Sequence, residues 1–128
     1  MNEDQRWQYL EGLDNELLEG AVVLSEWCSF IVREADTAFV GAANLASILT
    51  AVSGIETYLR SEYAVTGREC LVELISQSPI HDILKEDLQK LRKVRNKWVH
   101  IYEPWNDFGL LERPEETEKE LEEMALLA

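Results

Sequence analysis

Arg95 is placed where a charge is expensive, and a titratable ring follows five residues on. Winding residues 84–102 as an ideal helix puts Arg95 within the apolar stripe of Leu84, Leu88, Leu91, Val94, Trp98 and Tyr102. A guanidinium turned toward a core is costly unless something negative meets it. The sequence must therefore supply a carboxylate, an anionic ligand or a second subunit. The same winding of residues 45–59 puts Glu56 into the stripe of Leu45, Leu49, Val52 and Leu59. Two opposite charges on two apolar faces predict an ion pair between Glu56 and Arg95. Such a pair is either structural in its own right or a support that holds Arg95 in a site. His100 carries an imidazole whose reference pKa of about 6.5 suits general acid or base chemistry. On a straight helix it would stand about 140° round from Arg95, with Asn96 as its neighbour. Val99, Ile101, Tyr102 and the following Pro104 favour extended backbone, so the helix end can bring His100 round.

Helices must position these groups. Leucine, alanine and glutamate dominate, and six glycines and three prolines are too few for a sandwich of short strands. Leu10, Leu13, Leu17, Ala21, Leu24, Cys28 and Ile31 recur at steps of three and four, predicting a long helix from Trp7 to about Glu34, weakened at Gly12 and Gly20. Met1 to Arg6 reads as a flexible start. Asp36-Thr37 reads as a capping pair opening a second helix, with Phe39, Leu45, Leu49, Val52, Ile55, Leu59 and Tyr63 as its stripe. Thr66-Gly67 ends that helix, Arg68 to Gln77 forms a shorter one, and Ser78-Pro79 breaks the chain again. The Arg95 helix begins near Ile80 to Asp82 and stops before Pro104. Residues 103–113 form a loop, and Pro114 opens a last acidic helix to Leu127, read as a solvated face with Leu121 and Met124 inward. The expected fold is all-α, a compact bundle of four to five helices in a single domain over residues 1–128.

Charge and cysteine usage narrow the function. The net charge is −13, yet the segment from His81 to His100 has six basic residues against three acidic ones. The global charge opposes nonspecific binding of polyanions, while the local excess admits one phosphate-bearing ligand at close range. Cys28 and Cys70 stand 42 positions apart with no CxxC spacing, so no zinc site is readable, and both read as small core residues of a cytoplasmic protein. No run of 18 uncharged apolar residues suggests a membrane span.

The segment from Leu91 to Tyr102 resembles the signature of the HEPN superfamily, named for higher eukaryote and prokaryote nucleotide-binding domains. That signature is an arginine, a polar residue commonly asparagine, a few more positions, then a histidine. Arg95-Asn96, three intervening residues and His100 match it, and Tyr102 fits the Arg-x4-His-x-Tyr variant of HepT-like toxins. Ile101 and Glu103-Pro104-Trp105 depart from the HepT-like context. The resemblance implies a symmetric homodimer in which motif residues of two protomers line one cleft, and metal-independent RNA cleavage of the toxin or host-defence type without a cofactor. In that reading Arg95 stabilises the scissile phosphate and His100 acts on the 2′-hydroxyl or the leaving oxygen. Asn96 orients the histidine or the substrate, Glu56 supports Arg95, and Arg92, Lys93 and Lys97 contact RNA. The product carries a 2′,3′-cyclic phosphate. Tyr102 reads as a core aromatic, although the HepT resemblance implies adenylylation by a partner nucleotidyltransferase antitoxin. The alternatives are a noncatalytic HEPN-like module that binds a nucleotide or a partner protein and uses Arg95 only structurally, and an ordinary helical scaffold that keeps Glu56 with Arg95 and leaves His100 idle.

Overall fold

A computed structural model of the chain describes residues 1–17, 26–99 and 114–128. They form six helices and, among the described residues, no strand: α1 (Glu3–Leu17), α2 (Glu26–Val40), α3 (Asn44–Tyr63), α4 (Leu71–Gln77), α5 (Asp82–Val99) and α6 (Pro114–Leu127). The longest, α3, is the hub, with α2, α4, α5 and α6 all packed on it. Its buried residues Ile48, Val52 and Leu59 meet Phe39 and Val40 of α2, the face of α4 formed by Leu71, Leu74 and Ile75, Leu91 of α5, and Leu121 and Ala125 of α6. These are mostly the positions that recur every three or four residues, as burial of one face of each helix requires. The helical bundle expected from the sequence is therefore present, with Pro114 opening the last helix where its missing N–H does no harm.

Two boundaries differ from expectation, and a third expectation falls outside the described residues. Asp36-Thr37 does not open a helix. The Thr37 hydroxyl donates to the Arg33 carbonyl 2.8 Å away, bonding back into the turn before it, and α2 runs on to Val40. The break comes at Gly41–Ala43, where Ala43 N–H donates to the Ala38 carbonyl and Ala42 N–H to Phe39, with Ala42 left-handed at φ 60°. That pattern is a Schellman stop, and Ala42 holds the position glycine usually takes. Second, α4 begins at Leu71 rather than Arg68, because the preceding residues are tied into a turn around Glu69. Third, the long helix expected from Trp7 to Glu34 includes residues 18–25, which lie outside the described residues; α1 and α2 flank them.

The first residues are not a loose start. Arg6 lies on α1 at 2% exposure, its guanidinium over the Phe39 ring with 4.6 Å to the centroid. Nη1 donates to the Phe39 carbonyl (2.7 Å) and to Asn44 Oδ1 (2.9 Å), and Nη2 stands 3.7 Å from Glu122 Oε2. One cation thus closes the C-terminal end of α2, the first residue of α3 and the middle of α6, while Asn2 and Gln5 cap the start of α1 with reciprocal backbone-to-side-chain bonds. Cys70 is another correction: as the residue capping α4 it is exposed, its Sγ 3.4 Å from Glu73 Oε1, and Cys28 is half-exposed on α2.

Candidate functional site

Arg95 lies on the last turn but one of α5, on the side turned to α3. Its Nη1 donates to Glu56 Oε2 at 3.0 Å, the pairing that the two apolar stripes predicted. The side chains of Arg95 and Glu56 are 23% and 29% exposed, so the pair sits at the edge of the core and is not sealed within it. Asn96 Oδ1 accepts from Arg95 Nε (3.2 Å) and Nη2 (2.9 Å), holding the guanidinium from its other edge. Of the five guanidinium N–H groups, one on Nη1 and one on Nη2 have no hydrogen bond among the described residues. They can receive two oxygens of one phosphate.

The sequence reading missed Arg60, whose spacing of four from Glu56 on one helix was the available signal. Arg60 Nη2 donates to Glu56 Oε1 at 3.0 Å, so each oxygen of this carboxylate meets a different guanidinium. Arg60 Nη1 donates to the Glu69 carbonyl at 2.8 Å. The Glu69 side chain in turn accepts from Val65 N–H, Thr66 N–H, the Thr66 hydroxyl and Gln77 Nε2, donors that together hold its carboxyl well below the usual carboxylate range. A connected path therefore runs from Arg95 on α5 through Glu56 and Arg60 to the turn before α4. Two arginines and two glutamates, Glu56 and the ionised Glu69, thus alternate along it.

The remaining basic candidates do not all join this cluster. Arg92 is about 60° round the helix from Arg95 and donates from Nε to Gln89 Oε1 at 2.6 Å. Lys93 and Lys97 are each turned about 160° from Arg95, on the far side of α5. Lys93 lines a depression against α4 with Lys85 and Lys90, and Lys97 lies near Trp98 and 3.9 Å from Glu120 Oε1, an exposed pair of little energetic weight. The basic segment thus spreads its charge over two faces. His100 and Tyr102 lie outside the described residues.

No group of three or more His, Cys, Asp or Glu that could hold a metal ion occurs among the described residues. No described helix is long and apolar enough to cross a membrane. No family model, curated protein or solved structure matches this chain.

Proposed function

We propose that this protein is a HEPN-like, metal-independent endoribonuclease of the toxin or defence type, working in the cytoplasm as a homodimer whose two motifs share one cleft. The observation that carries the reading is the state of Arg95. It is fixed from two sides by Glu56 and Asn96, is reachable by solvent, and has two N–H groups with no hydrogen bond among the described residues, five residues before His100. A guanidinium held this way needs no reorganisation to meet the charge that builds on a phosphate during transfer. In the proposed reaction the RNA 2′-oxygen attacks the adjacent phosphorus and the bond to the 5′-oxygen breaks. The 2′-hydroxyl proton passes to a base and a proton is delivered to the leaving 5′-oxygen. His100 serves one of these proton transfers, Arg95 neutralises the non-bridging oxygens, and Asn96 positions Arg95. The products are a 2′,3′-cyclic phosphate and a 5′-hydroxyl. Arg92 is the nearest additional backbone contact and Lys93 and Lys97 serve strand further away; Tyr102 is a core aromatic in this reading, and modification by a nucleotidyltransferase antitoxin belongs to the HepT-like alternative.

The test is incubation of end-labelled RNA with wild-type protein and with Arg95→Ala and His100→Ala, with EDTA present throughout. Wild type is expected to leave cyclic phosphate ends, and each variant to be slower by a factor of about 100 or more. Wild type that cuts nothing, or variants that cut as fast, would end the proposal. The noncatalytic reading has one observation in its favour, that Glu56 already compensates Arg95. In it Arg95 is only structural, so it predicts binding of a nucleotide or a partner protein that persists in a folded Arg95→Ala variant, without any cleavage.

A further inference from the structure

On the opposite side of α3 from Ser53 and Thr57, α2 and α5 wall a groove of about 510 Å³. Ile31 and Val32 of α2 form one wall, Leu84 and Leu88 of α5 the other, and Ala51 and Ile55 of α3 the floor. Next in sequence to lining residues on each wall stand two exposed apolar side chains, Trp27 beside Cys28 (74% exposed) and Ile83 beside Leu84 (77% exposed). An apolar groove open to solvent and edged by acidic side chains is a candidate interaction site. Its charged side chains are Asp36 on the α2 wall and Asp87 on the α5 wall, with no lysine, arginine or histidine among the described residues lining it. Asp87 has a weak contact at 4.0 Å with Lys90, two-thirds exposed on the same helix. Partial burial and nearby Asp14 disfavour the charged form of Asp36, a penalty that an arriving cation would relieve.

We infer that this groove docks an amphipathic helix of another protein, its apolar stripe flanked by lysine or arginine. The lining residues run from 28 to 36 on α2, 51 to 59 on α3 and 84 to 91 on α5, about 10.5–12 Å each at 1.5 Å per residue. A helix anchored at i, i+3 or i+4, and i+7 presents a stripe of about 10.5 Å, which matches that length. Charge complementarity chooses the flanks: two aspartates on opposing walls, in a chain of net charge −13, attract a cationic helix and steer its approach. The same feature argues against a second copy of this chain pairing through this face. Two-fold symmetry would bring the Asp36 and Asp87 of both copies into one desolvated seam.

The probe is a fluorescein-labelled synthetic helix of about 16 residues with leucine at i, i+3, i+4 and i+7 and lysine on both flanks. Its binding to the whole chain is followed by anisotropy. Comparison peptides carry glutamate in place of lysine, or the same composition scrambled. Leu84→Arg and Asp87→Lys alter the groove at solvent-accessible positions, and Glu73→Lys on α4 makes the same charge change as Asp87→Lys outside it. Circular dichroism checks that each variant is folded. The expected result is saturable binding of the lysine peptide, weakened about tenfold or more by either groove variant and much less by Glu73→Lys, with the comparison peptides binding poorly. Equal losses in Asp87→Lys and Glu73→Lys, equal binding of the scrambled peptide, or no binding would overturn the inference. So would self-association abolished by Leu84→Arg, which would assign the groove to a second copy. Binding of dodecylammonium at the groove without binding of the peptide would assign it to a small amphiphile. None of these outcomes depends on RNA cleavage.

Discussion

Replacing Glu56 by alanine removes the carboxylate that two guanidinium groups share, and the loss can be worked from the contacts. Glu56 accepts two charge-assisted hydrogen bonds, each 3.0 Å long, from Arg60 and Arg95. Bonds to charged groups contribute about 1.5–3 kcal/mol when well buried, and exposed ion pairs less than about 1 kcal/mol. With exposures of 23% to 37% around the three side chains, water screens these bonds toward the lower figure, about 1 kcal/mol each. Glu56→Ala should thus cost about 2 kcal/mol, a fall in Tm of roughly 8 °C for a domain of this size. Glu56→Gln keeps one acceptor oxygen and should lose about half as much. The assay is urea and thermal unfolding followed by circular dichroism, for the single variants and for a double-mutant cycle with Arg95→Leu. The cycle should show a coupling of about 1 kcal/mol that shrinks with added salt. A coupling within about 0.3 kcal/mol of zero would refute the claim that Glu56 holds Arg95, whatever the distance between them.

Arg6→Ala should be the more damaging change, about 3–5 kcal/mol by urea unfolding, because it strips the donor from the buried Phe39 carbonyl and Asn44 amide and empties the space the side chain fills. Ala42→Gly should stabilise the fold by roughly 1 kcal/mol by the same assay, since it relieves a side chain held at φ 60°. The acid limb of unfolding should carry Glu69. Its folded pKa is lowered, so its stabilisation is complete above the unfolded value of about 4.3 and is lost as pH falls below it; Glu69→Gln should flatten that limb. Asp36 has the opposite sign. Its folded pKa is raised, so its ionisation opposes folding at neutral pH, and Asp36→Asn should raise Tm there, by less than about 1 kcal/mol in stability, with the gain vanishing below about pH 3.9.

What the chain determines by itself is periodic and local. Steps of three and four residues place apolar side chains on one face of each helix, so the stripes of α3, α5 and α6 were legible, as was Pro114 at a helix start. Glu56 and Arg95 could be paired from sequence because a charge inside an apolar stripe is so costly that two of opposite sign must meet. What depends on contacts between elements was not legible. Thr37 could cap a helix or bond back into one, and α2 continues because Phe39 and Val40 are needed in the core beyond it. Arg6 reads as a terminal cation until the end of α2, Asn44 and Glu122 close round it from three elements far apart in sequence. The helical period already turns Lys93 and Lys97 from Arg95, but the docking of α5 on α3 decides that Arg95 meets Glu56. Asp36 and Asp87, 51 residues apart, become one acidic frame because α2 and α5 wall the same groove over α3. Helical period belongs to the chain, whereas the company each face keeps is set by packing, which joins residues without regard to their separation in sequence.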